Sequence, residues 1–153
     1  MIKKLIIVCL CLGVLGAEAE DTNRLSHIMQ FGSDYLLLAK SYVDGKVYVS
    51  TIKASDLKES PKWEGTENPP LSAKKAESLA REKAMQLAKK KFADYVLESI
   101  SINYLRTQNV WCYEVSYRNE NFDLSKIQSG EIPLNSILIL VLMNGRVIEP
   151  KME

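Results

Sequence analysis

Asp44-Gly45 and Asn144-Gly145 each separate two runs of strand-forming residues. Tyr35–Val43 and Lys46–Ala54, rich in Val, Tyr, Ile, Leu and Thr, flank the first pair. Ser136–Met143 and Arg146–Glu149 flank the second, and Pro150 follows as a stop. A two-residue connection favours a type I′ turn, because its twist matches that of the strands it joins. That turn needs positive φ at both central residues, which Asp, Asn and Gly tolerate. Both sites therefore predict antiparallel hairpins. Ser136–Met143 is an unbroken apolar run of strand length, which predicts a central strand buried on both faces.

Between the hairpins, Ser60–Pro70 holds Pro61, Gly65, Pro69 and Pro70 and reads as a connector, with Trp63 as its anchor to the body. A helix is expected to follow. Ser72 is a natural N-cap, Leu71 can staple onto Ala76, and Ala73–Lys91 contains neither Gly nor Pro. At 100° per residue, Ala76, Leu79, Ala80, Ala84, Leu87 and Ala88 share one arc. Lys83 lies within that arc and must snorkel outward. The Ala-rich surface suits close approach to a sheet bearing large side chains.

Beyond the helix, Val96–Leu105 alternates, with Ile100, Ile102 and Tyr104 on one face. Thr107-Gln108-Asn109 reads as a turn. Val110–Arg118 alternates more sharply, placing Trp111, Tyr113, Val115 and Tyr117 opposite Cys112, Glu114, Ser116 and Arg118. The aromatic face is expected to meet the helix. Asn119–Pro133 is the longest loop, and residues 20–34 form a loose lead-in with a helical turn near Leu25–Gln30. The expected fold is α+β: an antiparallel sheet of about five strands on one long helix, in the order β-β-α-β-β-β with a short closing strand.

The first 19 residues carry a different message. Met1-Ile2-Lys3-Lys4 is positive, Leu5–Gly16 is apolar, and Ala17-Glu18-Ala19 offers small residues at the −3 and −1 positions of a cleavage site. This is the pattern of a secretory signal peptide; the apolar run is shorter than the roughly 20 residues a membrane span requires. Cys9 and Cys11 lie within that run, so lipidation is not expected. Residues 20–153 then form a single exported domain, periplasmic or extracellular, with no transmembrane span. Cleavage removes two of the 20 basic residues (Lys3, Lys4) and one of the 19 acidic ones (Glu18), leaving 18 of each. A neutral chain is not built to steer toward nucleic acid. Cys112 remains as the lone cysteine. It reads as a buried apolar strand residue, with a reactive or pairing thiol as the alternative.

Residues 72–149 resemble a PepSY-type domain, the family named for peptidase propeptides and a spore-germination protein. The likeness rests on the order of parts: Ala73-Lys-Lys-Ala-Glu-Ser-Leu-Ala80 on a helix, then Trp111-Cys-Tyr-Glu-Val-Ser-Tyr117 on a strand. An apolar strand then ends in the Gly turn Asn144-Gly145-Arg146-Val147-Ile148-Glu149. The family's usual Asp shortly before the turn Gly is absent here, its place held by Leu142 and Met143. The resemblance implies a cystatin- or PepSY-like wrap of sheet on helix. It also implies a noncatalytic module, some relatives acting on proteases as inhibitors or chaperones.

Chemistry-bearing motifs are scarce. There is one His (His27), and no C-x-x-C, H-E-x-x-H, G-x-S-x-G or Gly-rich phosphate loop. Catalysis by Cys112 would need His27 as its base. No catalytic, cofactor-binding or metal-ligating residue is assigned, and no cofactor is expected. Seven basic residues on the helix (Lys74, Lys75, Arg81, Lys83, Lys89, Lys90, Lys91) against Glu77 and Glu82 read as a solvated face, with an anionic surface as the alternative. Lys89–Lys91 would suit the negative end of the helix dipole. Tyr113 and Tyr117 beside Trp111 read as core, with a ligand groove as the alternative. The 35–54 hairpin is a candidate for strand addition if it lies at the sheet margin. The function expected is an exported noncatalytic binding or inhibitory module with a protein partner, a protease or an envelope component. The alternatives are a small secreted hydrolase and an envelope structural component that binds anionic surfaces through its basic helix.

Overall fold

The computed structural model describes residues 29–31, 35–105, 108–121 and 135–153. The expected signal peptide, His27, Thr107 and most of the loop after Asn119 lie outside the described residues. The strands are β1 (Met29–Phe31), β2 (Tyr35–Val43), β3 (Lys46–Lys53), β4 (Tyr95–Leu105), β5 (Val110–Asn119), β6 (Ser136–Leu142) and β7 (Pro150–Met152). The helices are α1 (Ala54–Leu57) and α2 (Ala73–Ala88), and a 3-10 helix spans Lys89–Asp94. The fold is α+β. One antiparallel sheet runs in the order β4-β5-β6-β2-β3-β7, and β1 pairs with β2 beside that path.

The sheet holds seven strands among the described residues rather than about five. One addition is β1, so Met29 and Gln30 are extended where a helical turn was expected. The other difference is the closing strand. Arg146–Glu149 makes only an isolated bridge, Val147 to Val141, and the paired segment is Pro150–Met152 against Tyr48–Ser50 of β3. Pro150 therefore opens a strand instead of ending one, a position at which its missing N–H costs no ladder bond.

The two Gly turns differ. Asp44 and Gly45 both have positive φ, 53° and 73°, as a type I′ turn requires, and Val43 pairs with Lys46. At the second site the connection has three residues. The Gly145 N–H donates to the Leu142 carbonyl at 2.8 Å, the Leu142 N–H donates to the Arg146 carbonyl at 2.9 Å, and Gly145 is the left-handed residue, with φ 85°. This is a type I turn closed by a glycine bulge, and the bulge turns the chain away before a regular strand forms.

Helix α2 starts as the sequence demands. Ser72 Oγ accepts a hydrogen bond from the Lys75 N–H at 3.3 Å. It ends at Ala88, earlier than expected, because Lys89 takes φ 52° and redirects the chain into the 3-10 turn. That turn brings Phe92 over Tyr117, with ring centroids 5.6 Å apart. Ala76, Ala80, Ala84 and Ala88 are buried against Tyr113, Val115 and Tyr117 of β5 and Ile137, Ile139 and Val141 of β6. Small residues meeting large ones let helix and sheet approach closely.

Strand β6 is buried on both faces. Ile137, Ile139, Val141 and Met143 join the helix-side core, while Leu140 and Leu142 join a second core. The hairpin contributes Leu36, Ala39 and Ile52 to that second core, and α1 contributes Leu57. Where β2 meets β6, only Tyr42 and Ser136 pair through their backbones. Ser41 completes the seam: its Oγ donates to the Leu138 carbonyl at 3.0 Å and accepts from the Leu138 N–H at 2.9 Å. A buried hydroxyl thus stands in for a missing ladder bond.

Candidate functional site

The sequence candidates fall mostly into the interior. Cys112 is fully buried beside Leu140, Leu142 and Ile148, and burial pushes its thiol up to about 12. A thiol so placed is protonated at neutral pH and is a poor nucleophile. Tyr113 and Tyr117 lie under the helix, not in a groove. The Tyr113 hydroxyl donates to the Leu71 carbonyl at 2.7 Å, and the Tyr117 hydroxyl to Glu77 Oε1 at 3.2 Å. Burial, reinforced by the Glu77 carboxylate, holds the Tyr117 phenol well above its ordinary range.

Three of the seven basic residues of the helical segment are paired. Arg81 meets Glu77 at 2.7 Å, Lys83 snorkels to Glu149 at 2.6 Å, and Lys91 reaches Asp44 at 2.7 Å. Lys89 is the C-cap of α2 and Lys90 and Lys91 follow it in the 3-10 turn, so the three lysines stand just past the last helical turn rather than within it. Among the described residues, no cluster of three or more His, Cys, Asp or Glu is placed to hold a metal ion, and no helix is long and apolar enough to cross a membrane.

The 35–54 hairpin, a candidate for strand addition if it lay at the margin, is largely covered. β2 lies inside the sheet, and β7 covers Tyr48–Ser50 of β3. The open margin is β4. It runs for 11 residues, pairs with β5 from Tyr95↔Asn119 to Leu105↔Val110, and has no described strand on its outer side. A register shift between Leu97 and Ser99 sets Glu98 in a bulge, so Ser99–Leu105 is the regular part of the edge. Along an edge, alternate N–H and C=O groups point outward and bond to water until another strand replaces it.

The two faces of β4 differ. Ile100, Ile102 and Tyr104 continue the helix-side face of β5, opposite Val115, Tyr113 and Trp111. Helix α2 packs chiefly on β5 and β6; Ile100 is partly buried against that core, and the strip outside it is more exposed. Leu97, Ile102 and Tyr104 are 41, 38 and 39% exposed, three of the five large apolar residues exposed among those described. Beside the strip, Trp111 is held between Tyr104 and Trp63, with centroids 4.7 and 5.0 Å away. The Trp111 contact anchors the proline-rich connector to the body as the sequence suggested, and Trp63 Nε1–H donates to the Glu67 carbonyl at 3.0 Å within it.

The opposite face is polar. Asn103 donates to Ser101 Oγ at 3.0 Å, Ser116 Oγ donates to Glu98 Oε2 at 2.9 Å, and Arg118 approaches Glu98 Oε1 at 4.0 Å. Ser116 with Glu98, and Asn103 with Glu114 Oε2 at 3.4 Å, tie the outer strand to β5 through side chains. Sequence reasoning read the alternation of β4 correctly but did not place it at the margin; its lack of Lys and Pro points away from an edge, because edge strands usually carry them. The chain, compared with family models, curated proteins and solved structures, gives no match to any of them.

Proposed function

We propose that this chain is an exported, noncatalytic binding module of the cell envelope that takes an extended segment of a protein partner along β4. One observation carries the reading: an 11-residue margin with no covering strand among the described residues, bordered by exposed Leu97, Ile102 and Tyr104. Long edges with little charge are normally blunted, because they template further strands; an edge left open is suited to strand addition. The noncatalytic role implied by the PepSY-type resemblance agrees with this reading. So does its finer fold assignment, a sheet wrapped on one helix. Export rests on the Lys3-Lys4, Leu5–Gly16 and Ala17-Glu18-Ala19 pattern, and an amino terminus at Glu20 in the envelope or secreted fraction is the expected result.

The test is crosslinking pull-down of the tagged chain from its host's envelope and secreted fractions, with proline placed in turn at Ser101 and Ile102. Of two neighbouring residues only one has an outward N–H. Proline there removes an edge donor, whereas at the other position it breaks the β4–β5 ladder and shows as lost folding. A partner captured by the native chain and lost from the folded proline variant supports the reading. A partner retained by that folded variant defeats it.

A further inference from the structure

Resting on the β4 reading, the structure assigns a chemistry to the segment that β4 takes. We infer an antiparallel strand with apolar residues at three alternate positions and a Lys or Arg immediately after the last of them. Every described strand pair of this sheet is antiparallel, so a strand added to β4 in the same sense continues the pattern. In that orientation the first apolar residue of the segment faces Tyr104, the second Ile102 and the third Ile100, all on the helix-side face. The residues between them face Asn103 and Ser101 on the polar face.

The basic residue follows from charge. Glu98 is the single charged residue of β4. Its Oε2 accepts from Ser116, but its Oε1 has only Arg118 at 4.0 Å, much looser than the 2.6 and 2.7 Å pairs that Lys83 and Lys91 make. The Glu98 side chain is 44% exposed and stands at the bulge beside Ser99. In the segment, the residue after the third apolar position lies across from Ser99 on the polar face. A cation there reaches the loosely paired oxygen, and an acidic residue is repelled. The regular edge from Ser99 to Leu105 accommodates about seven residues, or roughly 23 Å of extended chain.

The probe is the soluble peptide Thr-Tyr-Ser-Ile-Thr-Ile-Lys-Ser, titrated against the full exported chain by fluorescence anisotropy. Three comparison peptides accompany it: one with the apolar residues made contiguous, one with Glu in place of Lys, and one with outward backbone nitrogens methylated. Binding is expected of the alternating peptide, and not of the contiguous or the backbone-methylated one. The Lys-to-Glu change is expected to weaken it about two- to fivefold, and Glu98→Gln in the protein to erase that difference. Equal binding of the contiguous peptide, or a Lys-to-Glu penalty that survives Glu98→Gln, overturns the assigned pattern. If both sequences bind and both are lost on backbone methylation, the pattern falls while the β4 edge stands. Binding that survives methylation removes the edge itself. A chain found by sedimentation to be a dimer that the Ser101 or Ile102 proline variant dissociates would place a second copy on β4 and overturn the proposal. Absence of binding by any peptide to a monomeric chain also overturns it.

Discussion

Along β3 the sheet is closed by β7, three residues that begin with Pro150 and carry Lys151, and the Glu153 N–H donates to the Val47 carbonyl at 3.0 Å just beyond them. Along β4, 11 residues free of proline and lysine run to the margin with no described strand outside them. Pro150 has no N–H to offer, and a short charged strand is a poor template, so the β7 side resists further pairing. The β4 side has none of those protections except the bulge at Glu98. Both margins are built from the same antiparallel pairing, and the difference lies in the side chains. Among the described residues, the short margin is blunted and the long one carries no further strand.

The largest effect expected is from opening the closed side. Removing Pro150–Glu153 uncovers Tyr48–Ser50 and deletes the Glu153 bond to Val47. At about 1 kcal/mol net per hydrogen bond, a loss of roughly 3 kcal/mol is expected. The truncated chain should also self-associate as its concentration rises, which light scattering reads. A truncated chain that stays monomeric would show that β7 does not act as a cover.

Next comes the seam that joins the two halves. Ser41→Ala removes the hydroxyl that both donates to and accepts from Leu138, leaving two partly buried peptide groups without that partner. A loss of about 1–3 kcal/mol in denaturant unfolding is expected. Hydrogen exchange should rise at β2 and β6 while β4 and β5 stay protected. A uniform rise would mean the halves do not separate at this seam.

Much of this organisation was legible beforehand, for local reasons. The Asp44-Gly45 turn, the Ser72 cap, the Ala stripe of α2 and the inward face of β5 follow from φ preferences and periodicity, which short windows of sequence contain. The order of strands across the sheet does not. It depends on pairings such as Tyr48 with Met152, more than a hundred residues apart, and on a hydroxyl at Ser41 that no pattern marks. Likewise β7 has three residues and a leading proline, too short for any period and with a residue that reads as a stop. The β4 site was therefore half legible: its alternation was visible, its place at the edge was not.

One strand inside the open margin, the interior makes a pH prediction. Cys112 sits opposite Asn103 of β4, and its thiol is raised from 9.0 to about 12 by burial. Burial also raises the phenols of Tyr95, Tyr113 and Tyr117. In the unfolded chain these groups lose their protons first, so the unfolded state binds fewer protons at alkaline pH. Stability is then complete below about pH 9 and falls as pH rises toward 12. Denaturant melts between pH 8 and 11 should show that fall, and Cys112→Val should flatten its lower part. At pH 8 the folded chain should leave a thiol reagent unreacted for as long as it stays folded.

The smallest change in stability should carry the largest consequence for binding. Ile102→Lys gives β4 the charge that Lys151 gives β7, at a side chain already 38% exposed. Ile102 is still more than half buried, but the methylene stem of a lysine can cover much of the same surface, so unfolding free energy should fall by only about 0.5–1 kcal/mol. Strand addition should nonetheless fall steeply, since a lysine on an edge opposes an apolar neighbour and must be desolvated when the neighbour docks. A large loss of stability would mean that Ile102 serves the core and that its exposure is incidental. Unchanged capture by a stable variant would mean that the apolar strip takes no part in recognition. A stable variant that no longer captures a partner separates the two roles a margin strand can have, since it leaves the fold complete and closes only the edge.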